Sequence, residues 1–307
     1  MLTALLLVAA GLVGLFLGGE ALVRGAVGIA QRAGISSLVT GLVIVGAATS
    51  MPELVTSVGA ALSGSPQIAW GNIIGSNIAN TLLILGAAAL VTPIVLKGSG
   101  TRDAASALAA TLVLWLLAVL DYGAVWIGLA LLATLGAYIY WRLRHPRPGL
   151  AVEEAEGEAP ALPKSILFFA IGVGVLIAGG QSLVTGAIDL ARLFGVSETV
   201  IGLTIVAIGT SLPELAASVA AAWRGQAGMA FGNVVGSNIF NLLLIGGTTM
   251  TLAPLPVPGE VADFEMAVLT GTAVLLLLLC RFAGSVSRLL GAAMLAAFGA
   301  INVLLFL

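Results

Sequence analysis

Residues 41–86 read GLVIVGAATSMPELVTSVGAALSGSPQIAWGNIIGSNIANTLLILG, and residues 202–247 read GLTIVAIGTSLPELAASVAAAWRGQAGMAFGNVVGSNIFNLLLIGG. A shift of 161 residues, from Gly41 to Gly202, superimposes them without a gap, with 26 of 46 positions identical. Shared apolar composition produces some matches, but not aligned Thr-Ser-x-Pro-Glu and Gly-Asn-x-x-Gly-Ser-Asn-Ile-x-Asn strings. The chain is internally duplicated.

Outward from the two copies, 60% of the 307 residues are hydrophobic and 8% are charged, against about 25% charged in soluble domains. Hydrophobic runs recur at the length of about 20 residues that a helix needs to cross a bilayer core. Splitting them at polar, proline and glycine punctuation predicts spans near 2–33, 36–62, 67–93, 103–120 and 123–143, then 164–194, 198–223, 227–252, 261–281 and 285–306. The first span is read as retained, not as a cleaved signal, because no basic region precedes it. The expected fold is all-α: a polytopic membrane protein of ten transmembrane helices. It divides into a first five-helix repeat (1–144), a cytoplasmic linker (145–163, rich in Pro and Glu) and a second five-helix repeat (164–307). Five is odd, so the second copy enters the membrane from the opposite side and the repeats are inverted. Transporters of that build bind substrate near the midplane on interrupted helices.

Twelve Lys and Arg and a net charge of -2 form no dense basic patch, which excludes a nucleic-acid partner. Eleven of the twelve fall on one side if the N-terminus lies outside, so the positive-inside rule predicts that orientation in the cell (inner) membrane. A monomer in the lipid bilayer is expected. Cys280 is the only cysteine, which rules out an internal disulfide and reads as a packing residue.

Glu53 and Glu214 sit mid-span, where an acid costs about 2.5 to 3.5 kcal/mol to insert. Neither motif core holds a Lys, Arg or His, so a cation or proton is the natural compensator. Thr49 and Ser50 precede Glu53 by four and three residues, and Thr210 and Ser211 precede Glu214 likewise; helical spacing brings these hydroxyls to the face of their own acid. Pro52 and Pro213 lack an N–H, leaving the carbonyls of Ala48 and Gly209 without helical partners. The helices should kink there and free carbonyls near Gly46, Ala47, Ala207 and Ile208, hard ligands suited to sodium or calcium. In the second string, Ser76 with Asn80 and Ser237 with Asn241 share a helix face and are the next candidate ligands. Asn72, Asn77, Asn233 and Asn238 are expected to cap broken ends. Glu20 with Arg24, and Asp189 with Arg192, are expected to pair on their own helices. No HExxH or Ser-His constellation occurs, and the sole histidine, His145, falls in the linker; this argues against an enzyme built on Ser50 or Ser211. A passive channel lacks a continuous polar pathway.

GAATSMPEL with GNIIGSNIAN, and AIGTSLPEL with GNVVGSNIFN, resemble the paired alpha repeats of the cation/calcium exchanger superfamily, and most closely those of prokaryotic sodium/calcium exchangers. The resemblance implies an antiporter without cofactor in which Glu53 and Glu214 bind calcium and sodium alternately, helped by Thr49, Ser50, Thr210 and Ser211. It implies sodium ligands at Ser76 and Ser237 and at the backbone oxygens of Gly46 and Ala207, and places Asn80 and Asn241 at the inner asparagine positions. Some family members carry an acid at one of those two positions; this chain carries none. Two carboxylates balance one calcium, and three sodium ions leave one positive charge in excess, so a three-for-one cycle is electrogenic. Proton/calcium exchange, with two protons neutralising the acids, is the alternative.

Overall fold

The computed structural model describes residues 1–96, 100–145, 161–195, 207–259 and 264–305. Most of the expected linker, Lys97, Arg147 and residues 198–206 of the span expected at 198–223 lie outside the described residues. The helices are α1 (Leu2–Ala33), α2 (Ser37–Thr49), α3 (Met51–Leu62), α4 (Pro66–Val91), α5 (Thr101–Val119), α6 (Val125–Arg144), α7 (Leu162–Leu193), α8 (described over Ala207–Gly209), α9 (Leu212–Trp223), α10 (Ala227–Leu252), α11 (Phe264–Ala283) and α12 (Arg288–Leu305). Among the described residues seven of these are long and apolar enough to cross a bilayer, and counting the bent pair α2–α3 as one span gives an eighth. The last apolar helix, α12, is shorter.

The span expected at 36–62 is not one helix. It breaks after Thr49, and α2 meets α3 at 43°. One small feature departs from the all-α expectation: β1 (Ile94–Val95) pairs antiparallel with β2 (Ser285–Val286). Ends are set by ordinary signals. Gly34, at φ 65°, closes α1 in the left-handed conformation and returns its N–H to Ala30 O.

Burial assigns the layers. Of the most apolar stretch of each span, 78% is buried in α4 and 94% in α10, against 28% in α1 and 22% in α7. The duplicated Gly-Asn strings therefore occupy the centre, and α1 and α7 lie outside them. These two long helices cross antiparallel at glycines. A Cβ on Gly11 would stand 2.6 Å from Leu183 N, and one on Gly172 would overlap the backbone of Leu22. Both contacts interchange under the 161-residue shift (11 and 172, 22 and 183), so the repetition reaches beyond the two motif segments into the first helix of each half.

Candidate ion site

Two helix breaks build the site. Ser50 (φ −78°, ψ 6°) and Ser211 (φ −88°, ψ 6°) leave helical geometry at matching points, and the proline two residues later falls in the first turn of the next helix. There its missing N–H costs nothing and its fixed φ fits. The acid follows at once: Glu53 lies in the first turn of α3 and Glu214 in the first turn of α9. Each carboxylate thus stands at the positive end of a helix dipole, and each residue is 1% exposed.

The hydroxyls cross between the halves. Ser211 Oγ donates to Glu53 Oε1 at 3.2 Å, while the Thr49 and Ser50 side chains face the Glu214 carboxylate. Helical spacing had assigned each hydroxyl to the acid of its own repeat. That assignment holds only for a continuous helix, and the break turns the hydroxyls toward the opposite acid. The two carboxylates are near enough to feel each other's charge.

Asn72 and Asn233 do not cap helix ends. They lie within α4 and α10 and tie the breaks together. Asn233 Nδ2 donates to Glu214 O at 3.2 Å and Ser218 Oγ at 2.8 Å, and its Oδ1 accepts from Thr49 Oγ1 at 3.3 Å. Asn72 Nδ2 donates to Glu53 O at 3.4 Å and Ser57 Oγ at 2.9 Å, and its Oδ1 accepts from Thr210 Oγ1 at 3.3 Å. All six contacts exchange under the same shift. Ser57 and Ser218 were missed in the sequence, although each stands four residues after its acid in both copies. Asn77 and Asn238 are not end caps either: Asn77 Nδ2 donates to Ile73 O at 2.7 Å, and Asn238 Nδ2 to Thr81 Oγ1 at 3.0 Å.

Ser76, Ser237, Asn80 and Asn241 are all buried. Ser76 lies one turn from Asn72, and Ser237 one turn from Asn233, which puts both serines on the faces that meet the breaks. Wide π-helical turns then run through Asn80–Ile84 and Phe240–Ile245, a local geometry frequent at functional sites. The freed-carbonyl expectation is corrected in part: Gly46 O accepts the Ser50 N–H at 3.1 Å and is not released. At the other break Ser211 N–H bonds to Ile208 O at 3.1 Å, so Ile208 O is not released either. Ala207 heads α8.

The result is a buried set of oxygens short of donors. Among the described residues Glu53 Oε2, both Glu214 oxygens, the Oγ atoms of Ser50, Ser76 and Ser237, and the side-chain oxygens of Asn80 and Asn241 have no hydrogen-bond partner within the protein, against one partnerless amide donor in the same set, Asn80 Nδ2. Uncompensated buried acceptors are costly, and hard cations satisfy carboxylate, hydroxyl and amide oxygens of this kind. A cavity of about 390 Å³ reaches the breaks from one side, between α3 and α7, past Val55, Thr56, Gln181 and Thr185 to Pro52 and Thr210.

A family model described as sodium/calcium exchanger protein matches residues 3–144 and 164–307. The chain belongs to the sodium/calcium exchanger family. Among its relatives, this exchanger is 36% identical to the putative antiporter CaxA of Alkalimonas amylolytica, over 100% of this chain and 99% of that protein. It is 30% identical to the sodium/calcium exchanger MaX1 of Methanosarcina acetivorans, over 96% of each. Its structure is similar to that of the sodium-calcium exchanger NCX_Mj soaked without sodium or calcium, with a TM-score of 0.86, 30% identity and 99% of both chains covered. The exchanger is thus a multi-pass membrane antiporter of a family that transports sodium and calcium, and these relatives are transporters, not enzymes.

Other charged residues serve the scaffold. Arg142 and Tyr138 converge on buried Asp103, each at 2.8 Å. Glu20 does not pair with Arg24: it forms an ion pair with Arg224 at the end of α9, and Arg24 lies over the Phe168 ring at 5.0 Å.

Proposed function

We propose that the chain exchanges sodium for calcium by alternating access at one site shared between the two breaks. The observation that carries this reading is the pair of buried acids from the two copies, each facing hydroxyls of the other half, amid buried oxygens that lack partners. Calcium and sodium compete for Glu53 and Glu214, with Thr49, Ser50, Thr210, Ser211, Ser76, Ser237, Asn80 and Asn241 as neutral ligands, joined by the carbonyl of Ala207 and by that of Gly46 through the lone pair its bond to Ser50 N–H leaves open. Ten spans in two inverted halves, 1–144 and 164–307, supply the opposed geometry, with the N-terminus outside and the linker cytoplasmic. An unneutralised acid pair is too costly to enclose in a dehydrated state, and this couples ion occupancy to the change of face. The close antiparallel packing of α1 on α7 suits them to move as one body against the rest.

The cycle takes about three sodium ions per calcium and is electrogenic. A tenfold sodium gradient supplies about 1.4 kcal/mol per ion, three ions roughly 4, and 100 mV about 2.3 more. That supports a calcium gradient of roughly thirty-thousandfold. The test is radioactive calcium uptake into proteoliposomes with an imposed sodium gradient at fixed pH. The unmodified protein should accumulate calcium, and Glu53→Gln and Glu214→Gln should not. Retained sodium-driven uptake in both variants defeats the assignment, and uptake that follows a pH gradient without sodium transfers it to proton/calcium exchange.

A further inference from the structure

We propose that Glu20 and Arg224 are positioning residues that lock one of the two gates, and that the opposite gate has no such lock. The inference rests on alternating access as read above. The two outer helices stand in unequal relations to the breaks. On one side α1 lies directly on α9: a Cβ on Gly19 would stand 3.0 Å from Ala216 O and 3.1 Å from Ala220 Cβ. One residue on, Glu20 forms its ion pair with Arg224.

The 161-residue shift maps these positions onto the opposite side: Gly19 to Gly180, Glu20 to Gln181, Ala216 to Val55 and Arg224 to Ser63. There the helices stand apart. Among the described residues a Cβ on Gly180 would approach nothing nearer than Leu212 and Pro213, at 3.8 Å. Val55 is 73% exposed, and the cavity occupies the gap between α7 and α3. The structure is therefore closed under α1 and open under α7. The reverse state exchanges the two relations, bringing α7 onto α3 and lifting α1 from α9. Lifting α1 parts Glu20 from Arg224, whereas the gate formed by α7 closes on neutral Gln181 and Ser63 and gains no ion pair. One gate thus holds a charge-assisted contact that the other lacks, which biases the protein toward the state in which the α3–α7 side is open.

The experiment reads gate position without transport. Cys280 is replaced by Ala, and single reporters are placed at Ala217 (1% exposed, next to the Ala216 that α1 covers) and at Thr56, its repeat mate, which lines the cavity. Maleimide labelling rates are then measured on purified protein in detergent, free of sodium and calcium. Glu20→Gln or Arg224→Gln should speed labelling of the Ala217→Cys reporter by about two- to fivefold, the scale of an exposed ion pair, and slow that of Thr56→Cys. The exchanged pair Glu20→Arg with Arg224→Glu should restore both rates. Rates unmoved by Glu20→Gln, or a swap that fails to restore them, overturn the proposal. If Ala217→Cys does not fold, Ala216→Cys reports on the same interface. A labelling shift in a protein that shows no sodium-driven calcium uptake sinks the exchange reading and leaves the gate intact.

Discussion

Replacing Asn233 tests whether the central asparagines hold the acids in place. Asn233→Ala removes the donor that serves Glu214 O at 3.2 Å and Ser218 Oγ at 2.8 Å. Thr49 loses less, because its hydroxyl still reaches Val45 O at 3.1 Å. Two buried hydrogen bonds at about 0.5–1.5 kcal/mol each give about 1–3 kcal/mol. If that loss falls on the geometry of Glu214, half-saturating calcium should rise by roughly 5- to 150-fold. Asn233→Asp separates the causes: it keeps the volume but presents oxygen to the Glu214 carbonyl, so it should be at least as damaging as alanine. Asn72→Ala should behave alike through Glu53 and Ser57. The assay is sodium-driven calcium uptake over a calcium series, with thermal stability measured on the same preparations. An Asn233→Asp protein with unchanged half-saturation shows that the amide donor does not position the site.

Two further consequences follow from the packing. Arg142→Ala strips Asp103 of its buried partner and should lower stability by about 3–5 kcal/mol, seen as loss of monodisperse protein, whereas exposed Lys164→Ala should leave the elution profile unchanged. A Cβ on Gly236 would overlap Leu42 O, while one on Gly59 meets nothing within 4 Å; Gly236→Ala should therefore depress the melting temperature and Gly59→Ala should not.

Much of this arrangement was legible because duplication marks chemistry within a single sequence. The acids, the hydroxyls before them and the prolines recur at a fixed shift, and the breaks fall where those prolines place them. Partnership across the fold was not legible. The rule that residues three or four apart share a face presumes an unbroken helix, and Ser50 and Ser211 violate it at the positions that matter. The π turns at Asn80–Ile84 and Phe240–Ile245 leave no periodic trace in an already apolar run. Glu20 looked paired to Arg24 because that partner was one turn away, yet its ion pair lies 204 residues along the chain. The kinship of α1 and α7 was carried by scattered residues such as Gly11 with Gly172 and Leu22 with Leu183, too sparse to stand out until the contacts showed them interchanging.

The crossed wiring can be separated from the straight one by a double-mutant cycle. If each acid were served by its own repeat, Ser50→Ala and Glu53→Gln would be coupled; the structure instead couples Ser211 with Glu53 through the 3.2 Å bond. A hydrogen bond to a charged acceptor is worth about 1.5–3 kcal/mol, so the Ser211/Glu53 cycle should show a coupling of roughly tenfold or more in calcium affinity. The Ser50/Glu53 cycle should be additive within the few tenths of a kcal/mol usual for groups that do not interact. Calcium titration of the detergent-purified protein measures both, since it needs no turnover from variants lacking an acid. Strong Ser50/Glu53 coupling with additivity for Ser211/Glu53 would show each half completing its own site. With the crossed result, neither half holds a finished site by itself, and any motion that parts the two breaks withdraws a hydroxyl from its carboxylate as the ion leaves.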